Sequence, residues 1–354
     1  MRFFCNTFLE EDNMLDNSTA AFVIPYRGSK DRRCLSYFEK AIHSIEEQTD
    51  PDWIIILVDD RSPDPEVIEH ENVIGNRLGD RIHILRCDVH VGVAEARNIG
   101  VRKAHELGCP FILFMDADDM SHPKRLENAR NFFSQGSNVN VVYSSFYIID
   151  EDDKITPFEE VNGAIREIWV GHQDQVVEGE DAWIQIATKK NYTTLSSHIS
   201  VRTDLAIKHP FPRGLTVSED SYTWMQYAAE PGIFVFDPQT PCPYRICRWR
   251  KDSAGNRGTD FNRLKAVNDT KGFMDALKVA SKYRDFTPEE VDDLTVRFYV
   301  RLALTISNGG CEEEALRIMR DAIAISKDTV LDAISQITPE EYKTIVTNIY
   351  RKVI

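Results

Sequence analysis

The stretch Phe111-Ile112-Leu113-Phe114-Met115-Asp116-Ala117-Asp118-Asp119 decides how this chain is read. Its apolar run, Phe111 to Met115, has the character of a strand covered on both faces, as in parallel sheets packed between helices. Asp116, Asp118 and Asp119 then fall at the C-terminal end of that strand, where open α/β sheets place their ligands. Carboxylates crowded at such an edge repel one another and hold their protons more tightly unless a cation or a positive ligand compensates. Mg2+ and Mn2+ suit oxygen ligands and are commonly held by one or two carboxylates together with substrate phosphates. A helix cap is the competing reading, because His122-Pro123-Lys124-Arg125-Leu126 has the look of a helix start. The stretch alone leaves the two open.

Upstream lie two more apolar runs, Ala20 to Tyr26 and Trp53 to Val58, and a shorter alternating one, Arg81 to Leu85. Between the first two, Leu35, Phe38, Ile42 and Ile45 recur at intervals of three and four, the mark of a helix with one buried face. The turn Arg61-Ser62-Pro63-Asp64 opens a second helix, and the glycine turn at His90-Val91-Gly92 leads into a third that reaches Leu107. The order β-α-β-α-β-α-β predicts a mainly parallel sheet with helices on both faces. Val139 to Ile149 supplies a further strand.

Beyond it the pattern is less regular. A strand or hairpin is expected within Ile155 to Gly179, then a helix over 180–188, a strand over Leu195 to Arg202, a helix from Glu219 to Ala229 and a last sheet element at Gly232 to Phe236. After Pro243 the chain turns basic and aromatic, then polar and glycine-containing from Asp252 to Gly258. Helices are expected over 262–283, 288–307, 311–325, 328–335 and 338–352. The domain expectation is an N-terminal extension over 1–18, an α/β domain over 19–250 and a helical C-terminal region over 251–354.

The 354 residues suffice for a sizeable core, and 42% hydrophobic with 28% charged residues is ordinary for a globular protein. A formal charge of -15 argues against broad electrostatic binding to nucleic acid or an anionic membrane surface. Phe3-Phe4 meets Glu10-Glu11-Asp12 before any apolar segment develops, so no signal peptide or membrane anchor is expected at the start. Seven scattered cysteines without paired metal spacing fit a reduced, cytoplasmic setting.

Polar clusters recur at the strand ends in a definite order: Pro25-Tyr26, then Asp59-Asp60-Arg61-Ser62, then Ala96-Arg97-Asn98, then Asp116-Ala117-Asp118-Asp119, then Ser218-Glu219-Asp220. Over roughly residues 20 to 250 this order resembles the family 2 glycosyltransferases. The resemblance implies the GT-A fold, a Rossmann-like, mainly parallel sheet flanked by helices. It implies a nucleotide-sugar donor, UDP-linked by preference, with Mn2+ or Mg2+, and a glycan, glycoconjugate or other hydroxyl acceptor.

Within that resemblance Pro25, Tyr26 and Asp60 would line the nucleotide pocket, the tyrosine ring against the base and the carboxylate on an imide N–H. Arg97 would approach base or phosphates, or else pair with Asp59 or Asp116. Asp116 would meet the ribose, Asp118 would coordinate the metal, and Asp119 would support them or cap the next helix. Asp220 matches the general base of inverting members; as a bare sequence feature it better suits a helix N-terminus. Arg248 and Trp249 partly resemble a QxxRW element and would close over the diphosphate and acceptor, although Arg245 stands where glutamine would be. His198 would either face the acceptor or serve the core. The helical tail would pack, self-associate or recognise acceptor, and peripheral membrane association stays compatible. The alternatives are an inactive nucleotide-sugar-binding or scaffold protein, and a sugar nucleotidyltransferase, for which Pro25-Tyr26-Arg27-Gly28-Ser29-Lys30 is a poor phosphate loop.

Overall fold

A computed structural model of the protein describes residues 18–161, 163–174, 176–189, 194–247 and 259–354. The apolar runs become strands whose residues are almost all buried: β1 (Ala20–Tyr26), β2 (Trp53–Asp59) and, later, β4 (Phe111–Phe114). Between β1 and β2 lies α1 (Arg32–Glu46), which starts at Asp31, whose side chain accepts the Arg33 N–H. Phe38, Ala41, Ile42 and Ile45 form its buried stripe, packed in one core with Phe22, Ile24, Ile55 and Leu57 of the sheet. The next helices are α2 (Pro65–Leu78), with proline in its first turn, and α3 (Val93–Glu106), on either side of β3 (Ile82–Arg86). Gly100 of α3 has no room for a side chain, since a Cβ there would overlap Val23 of β1.

After β4 come α4 (Arg125–Gln135), β5 (Val139–Ile149), α5 (Gly163–Asp174), α6 (Ala182–Thr188), β6 (Ile199–Arg202), α7 (Thr203–Lys208), α8 (Glu219–Ala228) and β7 (Ile233–Arg245). The seven strands form one sheet in the order β3-β2-β1-β4-β6-β5-β7. β3, β2, β1 and β4 are mutually parallel, with Tyr26 opposite Asp59, Asp59 opposite Arg86 and Val23 opposite Phe114. Their C-terminal ends therefore share one edge. β6 runs antiparallel to β4, with Leu113 opposite Ser200, so the chain just before β6 arrives where β4 ends.

Two expectations are corrected. Residues 163–174 form a helix, not a strand or hairpin: Ile165, Ile168 and His172, spaced three and four apart, are among its buried positions. The last strand also runs on from Phe236 to Arg245 through Pro238, Pro241 and Pro243, which its place at the sheet edge tolerates.

Two compact units emerge. The first comprises Met1–Ile155, Thr194–Gly214 and Val235–Arg245, and the second Thr156–Thr193, Leu215–Phe234 and Ile246–Ile354. This division cuts across the sequential one at 250, because α5, α6 and α8 group with the C-terminal helices. In the second unit α9 (Thr259–Ala280), α10 (Pro288–Asn308), α11 (Glu312–Ile325), α12 (Lys327–Ser335) and α13 (Glu340–Val353) follow one another. Phe273 of α9 stacks on Phe298 of α10 at 4.4 Å between centroids, and a reciprocal capping box of Thr287 and Glu290 starts α10. No helix among the described residues is long and apolar enough to cross a membrane.

Candidate active site

The shared C-terminal edge of β1, β2 and β4 collects the acidic clusters of the first unit. At the end of β2, Asp59 Oδ1 accepts from the Ser62 N–H at 2.8 Å and from its hydroxyl at 2.6 Å, and Ser62 Oγ accepts the Gly28 N–H at 2.8 Å. Asp59 thus ties the exits of β1 and β2 together. Asp60, 3% exposed, receives Val91 N–H at 2.5 Å on Oδ1 and Gly92 N–H at 2.9 Å on Oδ2, with His90 Nδ1 2.7 Å from Oδ2. Gly92 holds φ at 85°, in the left-handed region, as it delivers the chain into α3. Asp60 therefore fastens the start of α3. Its carboxylate retains one further acceptor position.

Tyr26, expected to offer its ring to a base, is 5% exposed and stacks on Phe38 at 4.1 Å and 18°. That face of the ring belongs to the core, and burial pushes its hydroxyl well above the usual tyrosine range. Pro25, just before it, pairs with Val58 in the sheet.

α3 then carries Arg97 to the β4 turn. The guanidinium is buried, lies 5.3 Å over the Phe211 ring and donates from Nη2 to Asp116 Oδ1 at 2.8 Å. Of the partners considered for Arg97, Asp116 is one it meets. The Asp116 N–H is received by Ser197 Oγ at 2.9 Å, and the Ser197 hydroxyl donates in turn to Asp119 Oδ2. Asp119, 1% exposed, also accepts the Arg245 N–H at 2.8 Å on Oδ1. Arg245 itself grips the turn, with Nε on the Asp118 carbonyl at 2.8 Å and Nη1 on the Asp150 carbonyl at 3.0 Å and on Asp153 Oδ1 at 2.6 Å.

Asp119 is accordingly a buried supporting residue and not the cap of α4, which begins at Arg125 after Lys124. Burial, then the charges of Asp118 and Asp116, raise its carboxyl well above the ordinary range. Asp116 and Asp118 themselves are half-buried. The turn thus concentrates negative charge, the condition that suits an oxygen-ligated divalent cation. Among the described residues no group of three or more His, Cys, Asp or Glu side chains forms a metal cage. A cation here would draw on one or two carboxylates and on phosphate oxygens.

Ser197 is a support of the acidic turn that sequence reading missed, whereas Arg245 and Asn98 stood within its motifs without a supporting role assigned. The serine lies in the run Thr194-Leu195-Ser196-Ser197, whose only signal is its polarity ahead of a strand. That segment is a short 3-10 turn before β6, not the start of the strand. His198, considered for the acceptor side, is fully buried and stacks on Phe146 at 5.3 Å and 3°. Arg248 and Trp249 lie outside the described residues.

Asp220 belongs to the second unit, in the first turn of α8. Ser218 precedes the helix with φ at 61° and no side-chain capping bond. Asp220 is half-buried, and its Oδ1 accepts the Ser221 N–H at 2.7 Å.

A mainly parallel sheet flanked by helices, with carboxylates gathered at the C-terminal edge of its parallel strands, is the architecture of the GT-A fold. Residues 22–193, just under half of the chain, match the model of glycosyl transferase family 2, and this region resembles that family. An uncharacterized glycosyltransferase of Methanocaldococcus jannaschii is 30% identical over 121 residues, 34% of this chain and 40% of that protein. The match to TuaG of Bacillus subtilis, whose name is that of a teichuronic acid biosynthesis glycosyltransferase, is 29% over 103 residues, 28% of this chain and 38% of that one. The chain thus spans well under half the length of these curated relatives. Among solved structures, S. aureus TarS 1-349 in complex with UDP-GlcNAc has the same fold, with a TM-score of 0.55 at 16% identity over 94% of this chain and 92% of that one. Mannosyltransferase PcManGT from Pyrobaculum calidifontis, in complex with GDP-Man and Mn2+, aligns with a TM-score of 0.54 at 14% identity, covering 94% and 86%.

Proposed function

We propose that this protein is an inverting glycosyltransferase that moves a sugar from a nucleotide sugar, UDP-linked by preference, to a hydroxyl of a glycan or glycoconjugate. The observation that carries this reading is the single network joining Asp60, the start of α3, Arg97, Asp116 and Asp119 at one sheet edge. A network that holds a cluster of carboxylates rigid against their own repulsion suits a charged ligand better than a fold-stabilising role.

In this reading Asp60 uses its remaining acceptor position for the base, and Pro25 and Tyr26 shape the wall behind it. Asp116 meets the ribose, held in direction by Arg97. Asp118 holds Mn2+ or Mg2+, which when bound offsets the charge that gathers on the departing diphosphate. The Asp220 carboxylate takes the proton of the acceptor hydroxyl as that oxygen bonds to the anomeric carbon and the bond from that carbon to the diphosphate breaks, so the centre inverts. Arg248 and Trp249 are assigned to covering the donor. The setting that fits is cytoplasmic, with a soluble acceptor or one presented at a membrane surface.

A panel of nucleotide sugars, each with Mn2+ or Mg2+, tests the reading by calorimetric binding and by release of free nucleotide. One donor is expected to bind in a metal-dependent way, and Asp118→Asn to weaken that binding. Folded protein that binds no nucleotide and no nucleotide sugar overturns the reading. Asp220→Asn is expected to bind donor normally and to lose about 100-fold or more in transfer; full transfer by that variant removes Asp220 from the role of base.

A further inference from the structure

The turn that carries Asp220 is held from α9, by one face of that helix. Asn268, Gly272 and Asp275 are spaced four and three apart and so lie on one side of it. Each meets α8 or the residues just before it. Asn268 is 8% exposed and donates from Nδ2 to the Val217 carbonyl at 2.9 Å. Gly272 brings the two helices close: a Cβ there would stand 3.3 Å from the Tyr222 Cα and 2.9 Å from the Met225 methyl, and Gln226 Nε2 donates to the Gly272 carbonyl at 3.0 Å. Asp275 Oδ2 accepts the Tyr222 hydroxyl at 2.8 Å.

The Asn268 bond falls at a sensitive point. Val217 precedes Ser218, which holds φ at 61° without a side-chain capping bond. An L-residue keeps a left-handed backbone only where its surroundings hold it there. The peptide between Val217 and Ser218 is one of the groups that define that conformation, and Asn268 fixes its carbonyl. Releasing it lets Ser218 relax to an ordinary φ, which turns the first residues of α8 and redirects the Asp220 side chain. The bonds of Tyr222 and Gln226 to α9 lie one turn or more further on, in the body of α8.

We propose that Asn268 is a positioning residue for Asp220, acting through the Val217 carbonyl and the left-handed Ser218. The proposal rests on the reading of Asp220 as general base. It gives part of the C-terminal helical region a place in the reaction, as the splint that sets the direction of the base.

The test compares Asn268→Leu with Val330→Ala, a truncation of a fully buried residue in α12 that leaves the Val217 turn untouched. Transfer and donor affinity are measured on the full chain, with the nucleotide sugar that the panel identifies, at a temperature where both variants are folded by circular dichroism. Asn268→Leu is expected to lower kcat by about 10- to 100-fold, as misplacement of a reacting group does, with donor Kd unchanged. Val330→Ala is expected to lower Tm while keeping kcat. Wild-type kcat in Asn268→Leu overturns the proposal, and so does a loss matched by Val330→Ala. Asp220→Asn is run beside them: its full activity sinks the general-base reading itself, whereas its inactivity together with an unimpaired Asn268→Leu sinks only the role of Asn268.

Discussion

Asn98 holds the backbone of Phe211 with both ends of its amide, Nδ2 donating to the Phe211 carbonyl at 3.0 Å and Oδ1 accepting the Phe211 N–H at 2.8 Å. The ring so placed underlies the Arg97 guanidinium, which donates to Asp116. Asn98→Ala removes a partner from each of these backbone groups in a buried setting. A stability loss of about 2 kcal/mol is expected from urea unfolding, with weaker donor binding by calorimetry as Arg97 loses its support.

Ser197 links the two ends of the acidic turn, receiving the Asp116 N–H and donating to Asp119. In Ser197→Ala the buried Asp119 carboxylate loses one of its two donors and the Asp116 N–H loses its acceptor. Expected is a destabilisation of about 1–3 kcal/mol together with reduced affinity for the Mn2+ complex of the donor nucleotide. Unchanged affinity beside a normal Tm would show that the turn holds itself.

Gly100 faces Val23 across the α3 to sheet contact with no space for a methyl group. Alanine is the better helix former by about 1 kcal/mol, yet overpacking against a β-branched core residue costs about 1–3 kcal/mol. Gly100→Ala is therefore expected to lower the urea midpoint, and to shift α3 and with it Arg97. Widened donor Kd would report that shift.

Glu71 of α2 is fully buried, with Arg86 Nε 3.0 Å from Oε2. Burial first, and then the Asp59 charge, push its carboxyl up to about 7 from 4.5. Such a group binds its proton more tightly in the folded state, so its stabilising contribution is full below about pH 4.5 and is lost as pH rises through about 7. The wild type is expected to lose up to about 3 kcal/mol over that window relative to Glu71→Gln. Urea unfolding of both proteins at pH 5 and pH 8 measures the difference; parallel pH dependence would refute it.

Much of this was legible along the chain. The strand Phe111 to Phe114 and the carboxylates after it, the helix stripe of Phe38, Ile42 and Ile45, and the order of polar clusters up to Asp116 are local patterns. Periodicity and turn chemistry act between residues a few positions apart, so they leave a readable trace. The helix at 163–174 escaped because Trp169, Val170 and Gly171 follow Ile168 directly and blur the spacing of Ile165 and Ile168.

What only tertiary structure decided is which distant groups meet. β6 enters the sheet between β4 and β5, bringing Ser197 to Asp116 and Asp119. Asn98 reaches Phe211, Arg245 reaches the Asp118 carbonyl, and Asn268 reaches Val217. Each is a directional bond between residues far apart in the chain, made when packing removes both groups from water, and such a bond imposes no pattern on the residues next to either partner. Tyr26 shows the same limit from the apolar side: its ring reads as a face for a base until Phe38 is found stacked on it. The sequence by itself determined the kind of sheet and the acidic turn it presents; burial and long-range pairing decided which carboxylates remain half-exposed and which, like Asp119, are committed to holding the turn.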